Sequence, residues 1–261
     1  MRFTVKLGGS ILEDREIRSG ILGDVAALAA QGHEIILVHG GGKSLTRRLG
    51  QLGIESRFVD GLRVTDAATL DVAVMVLAGE VNKRLVAELE SLGARALGLS
   101  GADAGALRCE RLASAGGESL GQVGRPVAVD RTVFDVLLER GIIPVVASLG
   151  LGYDFGLYNV NADSAASACA WGTGSRAVVF LTDVGGVRGD DGNVLQQVRR
   201  ADVERLRASG VISGGMLPKT LSCLEALEHS VSAAYILPGA SRGVLGRFVA
   251  GNLTEGSLIH A

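Results

Sequence analysis

Phe3-Thr4-Val5-Lys6-Leu7-Gly8-Gly9-Ser10 opens the chain as a short apolar run that carries one lysine and breaks directly into a glycine pair. A buried strand running into a glycine turn marks the carboxyl edge of an α/β sheet, where such folds hold their ligands. Lys6 is thus aimed at an opening of phosphate size. The design recurs at Ile35-Ile36-Leu37-Val38-His39-Gly40-Gly41-Gly42, so two glycine turns can face each other across one cleft. Glycine lets backbone N–H groups approach an oxyanion, and a following helix adds a favourable dipole. Tight βα turns also use glycine for steric reasons alone. Two such turns, one with a lysine beside it, shift the balance toward phosphoryl transfer.

Between the turns, Asp14 to Gln31 has helical spacing (Ile17, Ile21, Leu22, Val25, Leu28) and stops at Gly32. Lys43 to Leu52 repeats the pattern. The connection Phe58 to Asp66 places Arg63 among apolar neighbours with no helical or strand partner evident. Asp66 reads as the N-cap of a long helix ending near Gly93, apolar almost all round and therefore packed on two sides, against the sheet and a second subunit. Ala94 to Leu99 reads as a strand, Ala102 to Arg125 as short edge strands or a hairpin, Val129 to Arg140 as a helix, and Ile142 to Val146 as a strand. A loop with hairpin character leads to Asn159-Val160-Asn161-Ala162-Asp163 and an alanine-rich helix from Ser164 to Trp171. Gly172 to Arg176 reads as a hinge, dividing an N-terminal lobe (1–172) from a C-terminal lobe (173–261). The second lobe has a strand at Ala177 to Leu181, helices from Ala201 to Ser209 and through Lys219 to about Glu228, and last strands at Ala233 to Leu237 and Gly256 to Ile259.

The chain has 261 residues, 47 % of them hydrophobic and 4 % aromatic, and its 38 glycines fall at the ends of apolar runs. This is the composition of a folded α/β enzyme, not of a disordered or fibrous chain. A formal net charge of −2 gives no field for nucleic acid or an anionic membrane. Any anionic substrate must be held by local cations. Three widely spaced cysteines without a C-x-x-C pair point to neither a disulfide framework nor a zinc site, and fit a reduced, cytoplasmic setting. No run reaches the length of a membrane helix.

Familiar motifs fail on position. Gly42-Lys43-Ser44 lacks the first glycine of a P-loop, since Leu37 stands there. Gly172-Thr173-Gly174-Ser175-Arg176-Ala177 fits G-x-G-x-x-A but precedes a strand, which excludes the dinucleotide fingerprint. Gly98-Leu99-Ser100-Gly101-Ala102 lacks the last glycine of a nucleophile elbow. The four histidines are isolated; His39 packs or hydrogen-bonds at its strand end, and no residue is assigned to a metal. Lys6 can snorkel to solvent, Lys219 can be a solvated helix residue, and Asp163 can be only an N-cap. Two lysines, one arginine and one aspartate at strand-to-helix junctions of a faintly acidic chain favour function.

Seven segments, in order along nearly the whole chain, resemble the amino acid kinase family. They are Val5-Lys6-Leu7-Gly8-Gly9, Val38-His39-Gly40-Gly41-Gly42, Gly61-Leu62-Arg63-Val64-Thr65-Asp66, Val81-Asn82-Lys83, Asn159-Val160-Asn161-Ala162-Asp163, Leu181-Thr182-Asp183-Val184-Gly185-Gly186-Val187 and Gly214-Gly215-Met216-Leu217-Pro218-Lys219. The resemblance is to the branch that phosphorylates the side-chain carboxylate of N-acetyl-L-glutamate in arginine biosynthesis. It implies a three-layer αβα sandwich with a mainly parallel central sheet. The first lobe would bind the acylated amino acid and form the dimer, and the second would bind ATP.

Carried over by position, Lys6 and Lys219 would stabilise charge on the transferring phosphoryl group, with Asp163 holding both. Gly9, Gly41 and Gly42 would offer N–H groups to the phosphoryl group and the substrate, and Arg63 and Asn159 would bind the acylated amino acid. The nucleotide would lie along Gly8, Thr182, Asp183, Val184, Gly185, Gly186, Val187, Gly214, Gly215 and Met216. Mg²⁺ would arrive on the ATP, with no tightly bound cofactor. The chain lacks the helical extension before Phe3 that builds arginine-inhibited hexamers in the family, so a short, arginine-insensitive homodimer is implied. The stretch from Leu237 to Ser257 departs from the family's usual ending. The competing readings are a kinase for carrier-linked α-aminoadipate or free glutamate, and a non-catalytic amino-acid sensor. Gly61-Leu62-Arg63-Val64-Thr65 favours a free N-acylated acid, and the presence of Lys6, Asp163 and Lys219 disfavours a sensor.

Overall fold

In the computed structural model, which describes residues 1–114 and 116–260, the opening stretch becomes the Arg2–Leu7 strand near the middle of an eight-stranded sheet. The strand order is Gln197–Arg199, Ser257–His260, Ala233–Pro238, Ala177–Thr182, Arg2–Leu7, Glu34–His39, Ile143–Ala147, Ala96–Ser100. The inner strands run parallel, and Ser257–His260 is antiparallel to Ala233–Pro238. Such strands are covered on both faces, which is why they read as unbroken apolar runs. Phe3, Val5, Leu7, Ile35 and Leu37 enter one core layer with the helices Arg15–Ala30 and Asn82–Ser91. Ile36, Val38, Val178 and Phe180 enter the other, with Arg131–Glu139, Ala162–Thr173 and Met216–Glu228. Sheet and two helical layers make the three-layer αβα sandwich that the family resemblance implies.

The alternation places Lys6 on the face of Ile36 and Phe180, toward the Ala162–Thr173 helix. Asp14, Asp66 and Asn161 cap their helices by accepting backbone N–H groups. The long helix is one continuous rod with a π-helical stretch, Val74–Val81, between Ala67–Ala73 and Asn82–Ser91. Leu107–Ala113 and Ser119–Val129 form the hairpin expected between Ala102 and Arg125. They close with Leu149–Gly152 and Leu157–Val160 into a small four-stranded barrel.

Three details differ from the sequence reading. Arg63 does have a strand partner: Leu62–Arg63 pairs with Phe58–Val59 in a two-residue ladder too short to leave a periodic signal. The hinge assigned to Gly172 begins inside the last turn of Ala162–Thr173, and a Cβ at Gly172 would meet Val129 Cβ at 2.3 Å, so that glycine serves helix packing. The helix Val244–Ala250 and the edge strand Gln197–Arg199 went unrecognised. One sheet runs through both sides of residue 172, because Ala177–Thr182 pairs with Arg2–Leu7. Among the described residues no helix is long and apolar enough to cross a membrane.

Candidate active site

Three elements bring Lys6, Asp163 and Lys219 together. Lys6 leaves the end of its strand, Asp163 stands in the first turn of Ala162–Thr173, and Lys219 stands one turn into Met216–Glu228. Lys6 Nζ lies 2.8 Å from Asp163 Oδ1, and Lys219 Nζ lies 3.2 Å from Asp163 Oδ2. The side chains of Lys6 and Asp163 are only 7 % and 5 % exposed, so this is a buried cluster, not a solvated surface pair. Burial pulls the Lys6 ammonium down from its ordinary value, and Asp163 opposes this. Burial works to raise Asp163, but Lys6 and then Lys219 hold it below the usual carboxylate range. Two ammoniums on one carboxylate leave one positive charge in excess, which suits a phosphoryl group in transfer.

Below this cluster opens a cleft of about 650 Å³ walled by Lys6, Gly9, Gly40, Gly41, Gly42, Phe58, Arg63 and Asp163. An inner chamber of about 170 Å³ shares Arg63 and the glycine turn, and adds Asn159, Val123 and Leu77. A Cβ at Gly41 would come within 2.7 Å of Leu77 Cδ2, so glycine is required there by the approach of the π-helical stretch. Gly42 begins the Gly42–Gln51 helix, whose first N–H groups have no intrahelical partner.

Arg63 is buried and stacks over Phe58 at 4.6 Å from the ring centroid. Its guanidinium donates to Ser56 Oγ, to Thr46 Oγ1 at 2.8 Å and to Gly42 O at 3.3 Å. All three acceptors are neutral; among the described residues no carboxylate pairs with it, and burial alone pulls its pKa down. With no carboxylate beside it, the charge of Arg63 in the cleft wall is left uncompensated and suits an anion. Asn159 Nδ2 donates to Thr65 Oγ1, which in turn donates to Arg63 O, so Asn159 is tied to the arginine's own backbone.

The residues expected on the nucleotide side lie outside that cleft, near Lys219. Gly8 donates its N–H to Leu181 O at 3.2 Å, and a Cβ there would come within 2.8 Å of that oxygen, so Gly8 draws the two strand ends together and does not present its N–H to a ligand. Thr182 Oγ1 donates to Asp183 Oδ1. Asp183 is exposed; partial desolvation works to raise it, but hydrogen bonds that include Thr182 and Ser10, and then Lys219, hold it below the usual carboxylate range. Val184 and Gly185 continue this loop outward, whereas Gly186 and Val187 are buried and anchor it: Val187 N donates to Ser257 Oγ at 2.9 Å. Gly214, Gly215 and Met216 lead into the Lys219 helix, and Gly215 O accepts from Lys219 Nζ at 3.4 Å. The sequence reading missed Thr46 and Ser56, which hold Arg63, and gave no role to Asn161, which lines both cavities. Asn161 was visible as an amide just ahead of Asp163; the two hydroxyls carry no motif.

The sequence profile of the amino acid kinase family matches residues 1–238. The chain is 46 % identical to the acetylglutamate kinase of Acidobacterium capsulatum over the full length of both, and 42 % identical to that of Koribacter versatilis over 94 % of this chain and 93 % of the relative. Among solved structures it resembles smu.665 of Streptococcus mutans, with a TM-score of 0.84 at 25 % identity over 100 % of this chain and 98 % of the other. Giardia carbamate kinase has a TM-score of 0.71 at 13 % identity over 99 % and 98 % of the two chains, a likeness that speaks for the fold alone. The chain belongs to the amino acid kinase family.

Proposed function

We propose that the protein transfers the γ-phosphoryl group of ATP to the side-chain carboxylate of N-acetyl-L-glutamate, giving N-acetylglutamyl 5-phosphate in arginine biosynthesis. The observation that carries this is the pairing of two cationic features: the Lys6–Asp163–Lys219 cluster, whose Lys6 and Asp163 wall the cleft, and Arg63, which lines the same cleft without a carboxylate partner among the described residues. The acceptor has two carboxylates, one to react and one to hold. The relatives named acetylglutamate kinase support this reading over free glutamate or a carrier-linked acid.

A carboxylate is already a nucleophile at neutral pH, so the reaction needs no general base. One of its oxygens forms the new bond to the γ-phosphorus as the bond to the β,γ-bridging oxygen breaks, and ADP leaves with that electron pair. Lys6 and Lys219 balance charge on the transferring group, and Asp163 fixes their spacing. Gly9, Gly41 and Gly42 supply backbone donors, while Arg63 and Asn159 hold the acylated amino acid. Catalysis is then positioning plus electrostatic stabilisation. ATP binds as its Mg²⁺ complex over residues 173–261, along Thr182 to Gly185 and Gly214 to Met216, while residues 1–172 carry the acceptor.

The same reading makes the protein a cytoplasmic homodimer. Met75 is 64 % exposed on the π-helical stretch Val74–Val81, and Leu97 is 43 % exposed on the edge strand Ala96–Ser100, as expected of a face covered by a second copy. The three free, buried cysteines suit a reducing compartment. ADP release measured with purified protein, MgATP and either N-acetyl-L-glutamate or L-glutamate tests the acceptor assignment. Turnover with the acetylated compound is expected, and equal turnover with free glutamate would overturn it.

A further inference from the structure

His39, at the end of the Glu34–His39 strand, is wholly buried and enters none of the steps above. Its two ring nitrogens have different partners: Nδ1 lies 2.7 Å from Gly40 O, and Nε2 lies 3.0 Å from Asn82 Nδ2. The amide of Asn82 can be oriented in one way only. Its Nδ2 donates to Val145 O at 2.8 Å, a carbonyl that can only accept, and its Oδ1 accepts from Lys83 Nζ at 3.1 Å, an ammonium that can only donate. The nitrogen facing His39 is therefore a donor, Nε2 must accept, and the ring proton sits on Nδ1. Burial, which drops the imidazole to about 4, keeps the ring neutral and consistent with this.

The proton on Nδ1 has a consequence for the cleft. It donates to Gly40 O and draws that carbonyl toward the buried ring. The Gly40–Gly41 peptide is trans, so its N–H points away from the ring, and Gly40, Gly41 and Gly42 line the cleft. We propose that His39 is a positioning residue for phosphoryl transfer: by holding the Gly40 carbonyl it aims the Gly41 N–H at the reacting groups, and Asn82 fixes the tautomer that makes this possible. Gly98 is part of the device, since a Cβ there would lie 1.8 Å from Asn82 Oδ1. The inference rests on the kinase reading for the role of the Gly41 N–H, but not for the tautomer.

A long-range proton–nitrogen NMR spectrum of the imidazoles tests the tautomer on the free protein at neutral pH. The His39 signal should be that of a neutral ring protonated at Nδ1. Protonation at Nε2, or an imidazolium, would overturn the proposal. Two substitutions then separate positioning from packing. In His39→Asn the amide nitrogen can occupy the place of Nδ1 and keep the bond to Gly40 O. In His39→Gln the amide oxygen can occupy the place of Nε2, keeping Asn82 and losing Gly40. Misaiming one backbone donor should cost His39→Gln about 10- to 100-fold in kcat, short of the 10²–10³ for deleting an oxyanion donor outright. Its KM for ATP should stay within about 3-fold, and His39→Asn should stay within about 3-fold of the parent in kcat. Equal loss in both variants, or full kcat in His39→Gln, would overturn the proposal. A parent protein inactive on acetylglutamate would instead defeat the substrate reading, with the NMR spectrum still deciding the tautomer.

Discussion

Replacing Arg63 with methionine separates the two things a buried cation does. In the free protein its partners are the neutral Ser56, Thr46 and Gly42 O, so its removal strands no buried carboxylate. Ser56 is partly exposed and Thr46 borders the cleft, where water can take the place of the guanidinium. The methionine keeps an apolar stem against Phe58. The expected change in stability is therefore small, within about 1 kcal/mol, or about 2–4 °C in Tm for a chain of this size. The cost to function is large. A forked guanidinium–carboxylate contact has two charge-assisted hydrogen bonds of about 1.5–3 kcal/mol each, so losing the pair costs about 3–6 kcal/mol, or about 10²- to 10⁴-fold in kcat/KM for the acceptor. Arg63→Lys, which keeps the charge without the fork, should fall between. Initial rates over a range of N-acetylglutamate and a thermal melt of the same preparation read both quantities. Unchanged acceptor KM would refute the assignment of Arg63 to the substrate, and a fall in Tm well beyond 4 °C would show that the arginine holds the fold instead.

Lys6→Ala and Lys219→Ala should each lower kcat by about 10²-fold or more while leaving ATP affinity within a few-fold, the pattern of an interaction made in the transition state; near-normal kcat would remove that lysine from the mechanism. Gly41→Ala sets a methyl 2.7 Å from Leu77 Cδ2 and 3.3 Å from Val81 Cγ2, and should cost about 1–3 kcal/mol of stability as the long helix is pushed away, together with activity, in denaturant titration and kinetics. His39 has a folded-state value of about 4 against 6.5 for the free side chain. The unfolded chain thus takes up its proton first, and stability should fall as pH drops from 6.5 toward 4, by up to about 3 kcal/mol from this residue. His39→Asn should flatten that part of the stability–pH curve.

What could be read in advance follows from which signals are local. Strands buried on both faces leave unbroken apolar runs, so Phe3 to Leu7, Ile35 to Val38 and Ala177 to Leu181 were plain. The capping side chains of Asp14 and Asp66 marked helix starts for the same local reason. Lys6, Asp163 and Arg63 stood out because a charge in an apolar stretch needs a partner or a ligand. Their convergence came only with the family resemblance and not from any local signal, since Lys6 and Asp163 are joined through the sheet register and the helix that packs across it. The Phe58–Val59 and Leu62–Arg63 ladder is too short for periodicity, and Thr46 and Ser56 are ordinary hydroxyls until Arg63 folds over them. The Asn82–His39 contact spans 43 residues, a separation no local pattern can encode. The same limit hid the roles of Gly8 and Val187, whose N–H groups turn inward to Leu181 O and Ser257 Oγ.

The central claim is that a side-chain carboxylate receives the phosphoryl group. Hydroxylamine traps acyl phosphates as hydroxamates, so the most direct measurement is hydroxamate formation from MgATP with N-acetyl-L-glutamate, L-glutamate and α-aminoadipate in parallel, with Lys6→Ala as the control. Hydroxamate from the acetylated acid alone, falling away in the variant, is the predicted result. ADP release without hydroxamate, or hydroxamate from the other acids but none from N-acetylglutamate, would contradict the account.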